Sequence, residues 1–462
     1  MSSDPSKSDK TAPSSNRTSG TPHPGRRSLL IQMSALLGVS LVPGLVIHGG
    51  NAFAQQPPAA DPEAAETDAQ ITVTFQPASQ AKNLDSRFAG LSYEKDKLTE
   101  PLFTPTNLAL LQLLRLLGPG VLRIGANAVD RSSWNGAVKG LTPILPEHID
   151  ALATFVQAAQ WQVIYGVNMA RNTPENAASE AAYVASRLGP SLLAWEIGNE
   201  PDLYRRHRYR PRDWTYEDYI REWRALRDAM SAATPGIPFS GPSTAYNVPV
   251  FTLPFARDEG SRVPLLTHHY YRADRDDPDS TLDLLLRPDP NLMPELDTLV
   301  AAAAEAGMTQ GVRIDEANSF YGGGLQNVSN AFGTALWVMD FLFNCAVAGC
   351  TGVNLHSGGS GPGYTPISER EGVVIEARPG FYGMFMFTLA AQGMPMTSMM
   401  DPPVDINLSA WGVQRSDGGF NAILINKDKS RSVAMNLVTN APATSYDPIW
   451  LRGTSLTASA GQ

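Results

Sequence analysis

From Phe88 onward the chain alternates short apolar runs with stretches whose apolar residues recur every three or four positions. The runs fall at 88–94, 121–127, 162–168, 192–200, 238–244, 263–271, 312–318 and 352–356. Each is too short for a core helix and is bounded by turn-forming residues, which predicts a buried strand. Between them, Ile149, Leu152, Val156 and Ala159 share one helical face, and so do Tyr219, Trp223, Leu226 and Met230, with Thr215 and Asp218 spaced as a capping box. Eight strand-plus-helix units predict an α/β chain folded as a (β/α)8 TIM barrel with right-handed parallel connections; a doubly wound open sheet is the alternative.

The polar residues favour the barrel. Nearly every run ends in groups fit for chemistry: Glu94, Asn127, Asn168, Asn199 with Glu200, Ser243, His269 with Tyr271, Glu316 with Asn318, and His356. A packed strand needs none of them, and a barrel gathers the C-terminal strand ends on one face.

Outside the barrel region, 85–389, the rhythm changes. Residues 70–75 alternate apolar and polar, and beyond 390 a hairpin is expected from 411–414 and 420–425 around Asp417-Gly418-Gly419, with further strands at 433–438 and 449–451. Segments 70–84 and 390–462 are therefore expected to form a small β-sandwich domain built from both chain ends.

The first 54 residues read as a leader: Arg26-Arg27, an apolar run to about Ile47, then Ala52-Phe53-Ala54. The paired arginines suggest bacterial twin-arginine export to the periplasm or medium, with 55–69 as a linker and no stable membrane association after cleavage. An uncleaved anchor is the competing reading, disfavoured by Pro43 and Gly44 within a short run.

Composition narrows the partners. A net charge of −9 argues against a general nucleic-acid surface. The only cysteines, Cys345 and Cys350, read as small buried thiols, although a helix break at Gly349 would let them pair. No Cys/His spacing suggests a metal site; His268 and His269 read as hydrogen-bonded strand-end residues, and no cofactor is implied.

Two carboxylates dominate the chemistry. Glu200 ends the fourth run and Glu316 the seventh, on opposite sides of a barrel, the arrangement that cleaving an acetal requires. Glu316, if it faces Arg123 and Tyr271, would be held ionised as a nucleophile; Glu200 beside that anion would serve as the acid.

At these residues the chain resembles a known family. Trp195–Tyr204 (WEIGNEPDLY), Arg313–Gly323 (RIDEANSFYGG) and His269-Tyr270-Tyr271 are similar to clan A glycoside hydrolases, most closely family 79, the β-glucuronidase and heparanase family. The resemblance covers roughly 70–462. It implies Glu200 as acid/base and Glu316 as nucleophile, Asn199 on the sugar 2-hydroxyl, and Tyr271 on the nucleophile. Tyr321, the backbone of Gly323, and Tyr364 match positions that hold the glucuronate carboxylate, while Glu94 and Asn127 are candidate partners for the outer hydroxyls. The implied activity is a retaining, exo-acting β-glucuronidase on glucuronides or glucuronate-bearing glycans. Two departures stand out: Arg123-Ile124-Gly125-Ala126-Asn127 carries alanine where the family has a second glycine, and Gln462 comes earlier than the resemblance leads one to expect.

Other features have two readings each. The run Arg205–Arg210 is a solvated loop or an attractor for acidic glycans, and in the second case supports an endo-acting, heparanase-like activity. Trp134 and Tyr204 stack on sugars or pack loops. Glu196 reads as structural. Gly322-Gly323-Gly324 lacks the Lys-Ser/Thr of a phosphate loop. Outside the enzyme class, the rival is a carbohydrate-binding protein without catalysis, which would be expected to lack one of the two glutamates.

Overall fold

The structure, a computed structural model, describes residues 70–361, 363–403, 405–439 and 446–459; the expected leader and linker lie outside them. After an outer strand β1 (Gln70–Pro77), eight parallel strands close into a barrel: β2 (Ala89–Glu94), β3 (Val121–Gly125), β4 (Gln162–Val167), β5 (Leu192–Ile197), β6 (Phe239–Thr244), β7 (Leu265–Asp274), β8 (Gly311–Tyr321) and β9 (Gly352–Ser357). All eight predicted runs are barrel strands, and the open-sheet alternative is excluded by the β9–β2 pairing that closes the ring. Their near-continuous burial reflects a layer on each side, barrel interior and helices.

One main helix follows each barrel strand: α1 (Leu108–Leu117), α2 (Pro146–Ala159), α3 (Pro174–Leu188), α4 (Tyr216–Ala233), α5 (Leu253–Glu259), α6 (Leu292–Glu305), α7 (Phe332–Ala348) and α8 (Pro379–Ala390). The expected capping box opens α4, where the Thr215 N–H donates to Asp218 at 3.0 Å. Helix α7 is apolar all round because it is covered on both sides. Its outer side meets the flanking sheet: Phe343 stacks on Trp411 at 6.1 Å, and Asp340 accepts from Trp411 Nε1 at 2.8 Å and from Lys427 at 2.6 Å. Cys345 and Cys350 are buried free thiols on either side of Gly349, whose φ of 94° ends the helix.

The flanking layer is one five-stranded sheet among the described residues rather than the expected two-sheet sandwich. Its order is β12 (Phe420–Asn426), β11 (Leu408–Gln414), β10 (Met394–Asp401), β1, β13 (Ala434–Val438). It does join both chain ends: β1 runs antiparallel to β10 and parallel to β13. The strand expected at 449–451 is absent. Pro448 interrupts that segment's donors, Trp450 is half exposed, and the chain instead docks on α7, where Leu456 and Ala458 carbonyls accept the first N–H groups of the helix at 2.8 and 2.7 Å. Among the described residues no helix is long and apolar enough to cross a membrane.

Candidate active site

The C-terminal ends of β2, β3, β5, β7, β8 and β9 converge on one buried cation. Arg123, on β3, is fully buried and donates to Glu196 Oε1 at 2.6 Å, Glu316 Oε2 at 2.6 Å, Asn199 Oδ1 at 2.8 Å and Ser92 Oγ at 3.2 Å. A guanidinium satisfies four groups in a fixed fork, so the two carboxylates and the amide are set relative to each other. Glu196 is thus part of this network, as well as structural.

Glu316 receives a second donor from Tyr271, whose hydroxyl lies 2.8 Å from Oε1. Burial opposes ionisation of this carboxyl, but the charges of His356, His269 and Arg123 and the Tyr271 hydrogen bond outweigh it and hold Glu316 well below the usual carboxylate range. Burial keeps His356 itself below its ordinary value, so Arg123 and His269 supply the steady positive charge. Burial also disfavours a charged His269, yet the Glu316 charge and the bond to Glu200 push it up to about 9. His269 Nδ1 lies 3.0 Å from Glu200 Oε1, and as a cation it is the donor. His268, by contrast, is pushed by burial down to about 3 and bonds Thr244 outside this cluster.

Glu200 sits just past β5 with φ of 50°, a left-handed conformation that costs a non-glycine residue on the order of 1–2 kcal/mol. The surroundings enforce it. Glu200 N–H bonds the Ser243 carbonyl at 2.9 Å, and the preceding Gly198, at φ 78°, lies where a Cβ would stand 2.4 Å from the Tyr204 hydroxyl. That hydroxyl and the Asn199 N–H both donate to buried Asp130, at 2.6 and 3.2 Å, which fixes the turn.

The predicted residues are largely together. One oxygen of Glu200 and one of Glu316 lie within 4.8 Å of each other and of a His269 nitrogen. Asn199 has its oxygen on Arg123, while its buried Nδ2 has no hydrogen-bond partner, a donor left for a ligand. Tyr364 and Tyr321 pack on Tyr271 at 5.9 and 6.3 Å between ring centroids, and the Tyr364 N–H donates to the Gly323 carbonyl at 3.3 Å. The Tyr321 hydroxyl, however, donates to Asp274 at 2.8 Å, and the residue is 43 % exposed at the rim. Glu94 accepts the Ala128 N–H at 2.5 Å; burial and nearby Glu316 push its carboxyl up to about 7. Asn127 is half-buried at the end of β3. Ala126, the departure from the family's glycine, has φ of 53° and is fully buried, which is why glycine suits that place.

Trp134 and Tyr204 resolve as loop packing: both are buried, Trp134 against Tyr183 and Tyr204 against Trp214. In the basic run, Arg210 pairs with Glu222 at 2.6 Å, whereas Arg205, Arg206 and Arg208 are exposed. The trio Glu200, His269 and Glu316 has the compactness of a metal site, which the strand spacing did not suggest. Two adjacent cations, Arg123 and protonated His269, oppose a divalent ion there.

No family model matches the chain. In sequence it is 25 % identical over 301 residues to a β-glucuronidase of Aspergillus niger and 26 % identical over 282 residues to one of Neurospora crassa. The chain is similar in sequence to these fungal β-glucuronidases. The matches cover 60 % and 53 % of it, and the chain spans about half the length of each relative, 54 % and 50 %. Among solved structures it is similar in fold to a 4-O-α-L-rhamnosyl-β-D-glucuronidase from Fusarium oxysporum (TM-score 0.63, 19 % identity, 81 % of this chain and 85 % of that one). It is similar also to a family 51 α-L-arabinofuranosidase from Bifidobacterium longum (TM-score 0.59, 15 % identity, 80 % and 88 %).

In the sequence, Ser243 and His356 stand out only as strand-end polar groups and Asp130 not at all. Asp130 lies in a single 3-10 turn, Val129–Arg131, too short for periodicity to single it out.

Proposed function

We propose that this protein is a retaining, exo-acting β-glucuronidase of glycoside hydrolase family 79 type. The observation that carries the reading is the Glu200–Glu316 pair: one anion held by Arg123 and Tyr271, the other carboxyl within 4.8 Å of it. Direct attack on the anomeric carbon needs carboxyls about 5 Å apart, whereas inversion needs roughly 6.5–9.5 Å to admit water. In the first step a Glu316 oxygen bonds to the anomeric carbon as the bond to the aglycone oxygen breaks, and Glu200 gives that oxygen its proton. Glu200 then takes a proton from water, whose oxygen displaces Glu316 from the anomeric carbon. Asn199 Nδ2 would meet the sugar 2-hydroxyl, and Tyr321, Gly323 and Tyr364 the uronate carboxylate. With the Tyr321 hydroxyl on Asp274, that contact requires the phenol to change partner on binding.

A screen of aryl glucuronide, glucoside, galactoside and xyloside tests the reading; equal turnover of the glucoside would sink the uronate assignment. Exposed Arg205, Arg206 and Arg208 support a second reading, endo-acting cleavage of acidic glycans, and internal cuts on heparan-type chains would select it. Export through the 1–54 leader belongs to the same proposal, and N-terminal sequencing of the product should begin at Gln55.

A further inference from the structure

Directly behind the nucleophile lies a second carboxyl that the mechanism above does not use. Asp315 precedes Glu316 on β8, and alternation would turn one of the two away from the barrel interior. A bulge lets both turn inward: against β7, Ile314 pairs with His268 and Glu316 with His269, leaving Asp315 as the extra residue. Strand β6, on the other side of β7, does the same at Ser243, which lies between Pro242 and Thr244 with φ of 54°. The two bulges bring Asp315 Oδ2 to 2.7 Å from Ser243 Oγ.

Proton counting around that hydroxyl is restrictive. Ser243 Oγ also lies 2.8 Å from Glu196 Oε2 and 2.8 Å from Thr267 Oγ1. A serine hydroxyl donates once. Its single hydrogen serves one of the two carboxyls, and the other then faces the oxygen at hydrogen-bond distance with no hydrogen between them unless it carries its own proton. Glu196 is the ionised one, since Arg123 donates to it through Nε and Nη2. Asp315 receives no such bond: the nearest Arg123 nitrogen is 3.6 Å away, His269 Nε2 is 3.7 Å from Oδ1, and Oδ1 has no hydrogen-bond partner.

We propose that Asp315 is a permanently protonated positioning acid, which donates to Ser243 and so orders the Glu196–Arg123–Glu316 chain behind the nucleophile. It deepens the glycosidase reading and rests on it. Burial and the adjacent Glu196 charge push the Asp315 carboxyl well above its ordinary value, while Arg123 overrides burial to hold Glu196 below its own. The groups facing Asp315 are Glu196, Arg123, His269 and Ser243, with Arg313 and Glu316 on its own strand. Ionised, Asp315 would compete with Glu316 for Arg123 and with Glu200 for His269. Neutral, it leaves both cations to the reacting pair.

Asparagine reproduces a protonated aspartate, with an amide N–H in place of the acid O–H, and alanine does not. The glycosidase activity of Asp315→Asn is expected to stay within about threefold of wild type, and that of Asp315→Ala to fall about tenfold or more. An Asn variant that folds normally but loses about a hundredfold, or an Ala variant equal to wild type, overturns the proposal. Infrared spectra of protein labelled with 13C at aspartate carboxyls give a reading without substrate. At about pH 8 a protonated aspartic C=O band is expected in wild type and should be missing from Asp315→Asn. Absence of the band in wild type, or its persistence unchanged in the variant, refutes the assignment whether or not the glucuronide reading holds.

Discussion

Replacing Glu94 by glutamine keeps the side chain's shape and its acceptor for the Ala128 N–H, and removes only the ability to ionise. The carboxyl's value in the fold is about 7 against an ordinary 4.5, with burial as the largest cause and the Glu316 charge next. Because the folded-state value is raised, the protonated form is favoured by folding. That stability is fully present below 4.5 and is lost as pH rises through about 7. At about 1.4 kcal/mol per pH unit, the interval corresponds to roughly 3 kcal/mol, which solvent around the partly exposed side chain trims to about 2 kcal/mol. Urea unfolding at about pH 5 and about pH 8 measures it: wild type should lose about 2 kcal/mol relative to Glu94→Gln between the two. Identical pH dependence in the two proteins would refute the reasoning. A larger loss in the variant would mean that ionised Glu94 is paired with a cation in the fold.

Three further outcomes follow from the same geometry. Glu316→Gln should lower turnover of an aryl β-glucuronide roughly ten-thousand-fold, because the group lost is the proposed nucleophile, and should lower the unfolding midpoint as well, because Arg123 loses a buried anionic partner. Glu200→Gln should lose about 100- to 10,000-fold on poor alkyl leaving groups and much less on an activated aryl one, checked by comparing kcat/KM across the series. Arg123→Met leaves Glu196 and Glu316 buried without their cation, and denaturant titration should show a loss of about 3–5 kcal/mol.

Hydrophobic pattern made the barrel legible because each strand is an apolar run ending in a polar group. The flanking sheet was harder to read. Strand β10 has the sequence Met-Pro-Met-Thr-Ser-Met-Met-Asp, with no alternation and a proline, and its pairing with β1 comes from tertiary context. Residues 449–451 failed in the opposite sense, an apolar triplet left without a partner strand. In the site, Glu200, Glu316, Asn199 and Tyr271 were legible from local motifs. The roles of Asp315 and Ser243 were not, because a bulge shifts the inward-facing phase by one residue and leaves no mark in periodicity. The place of Glu94 near neutrality depends on burial and on Glu316, two quantities that exist only in the folded chain.

The proposed division of labour between Glu316 and Glu200 is tested most directly by trapping the intermediate. A 2-fluoro-β-glucuronide with an activated leaving group should inactivate the protein and add one fluoroglucuronosyl mass at Glu316, with none at Glu200, Glu94 or Glu196. Label on Glu200, or inactivation with no covalent adduct at Glu316, would contradict the account.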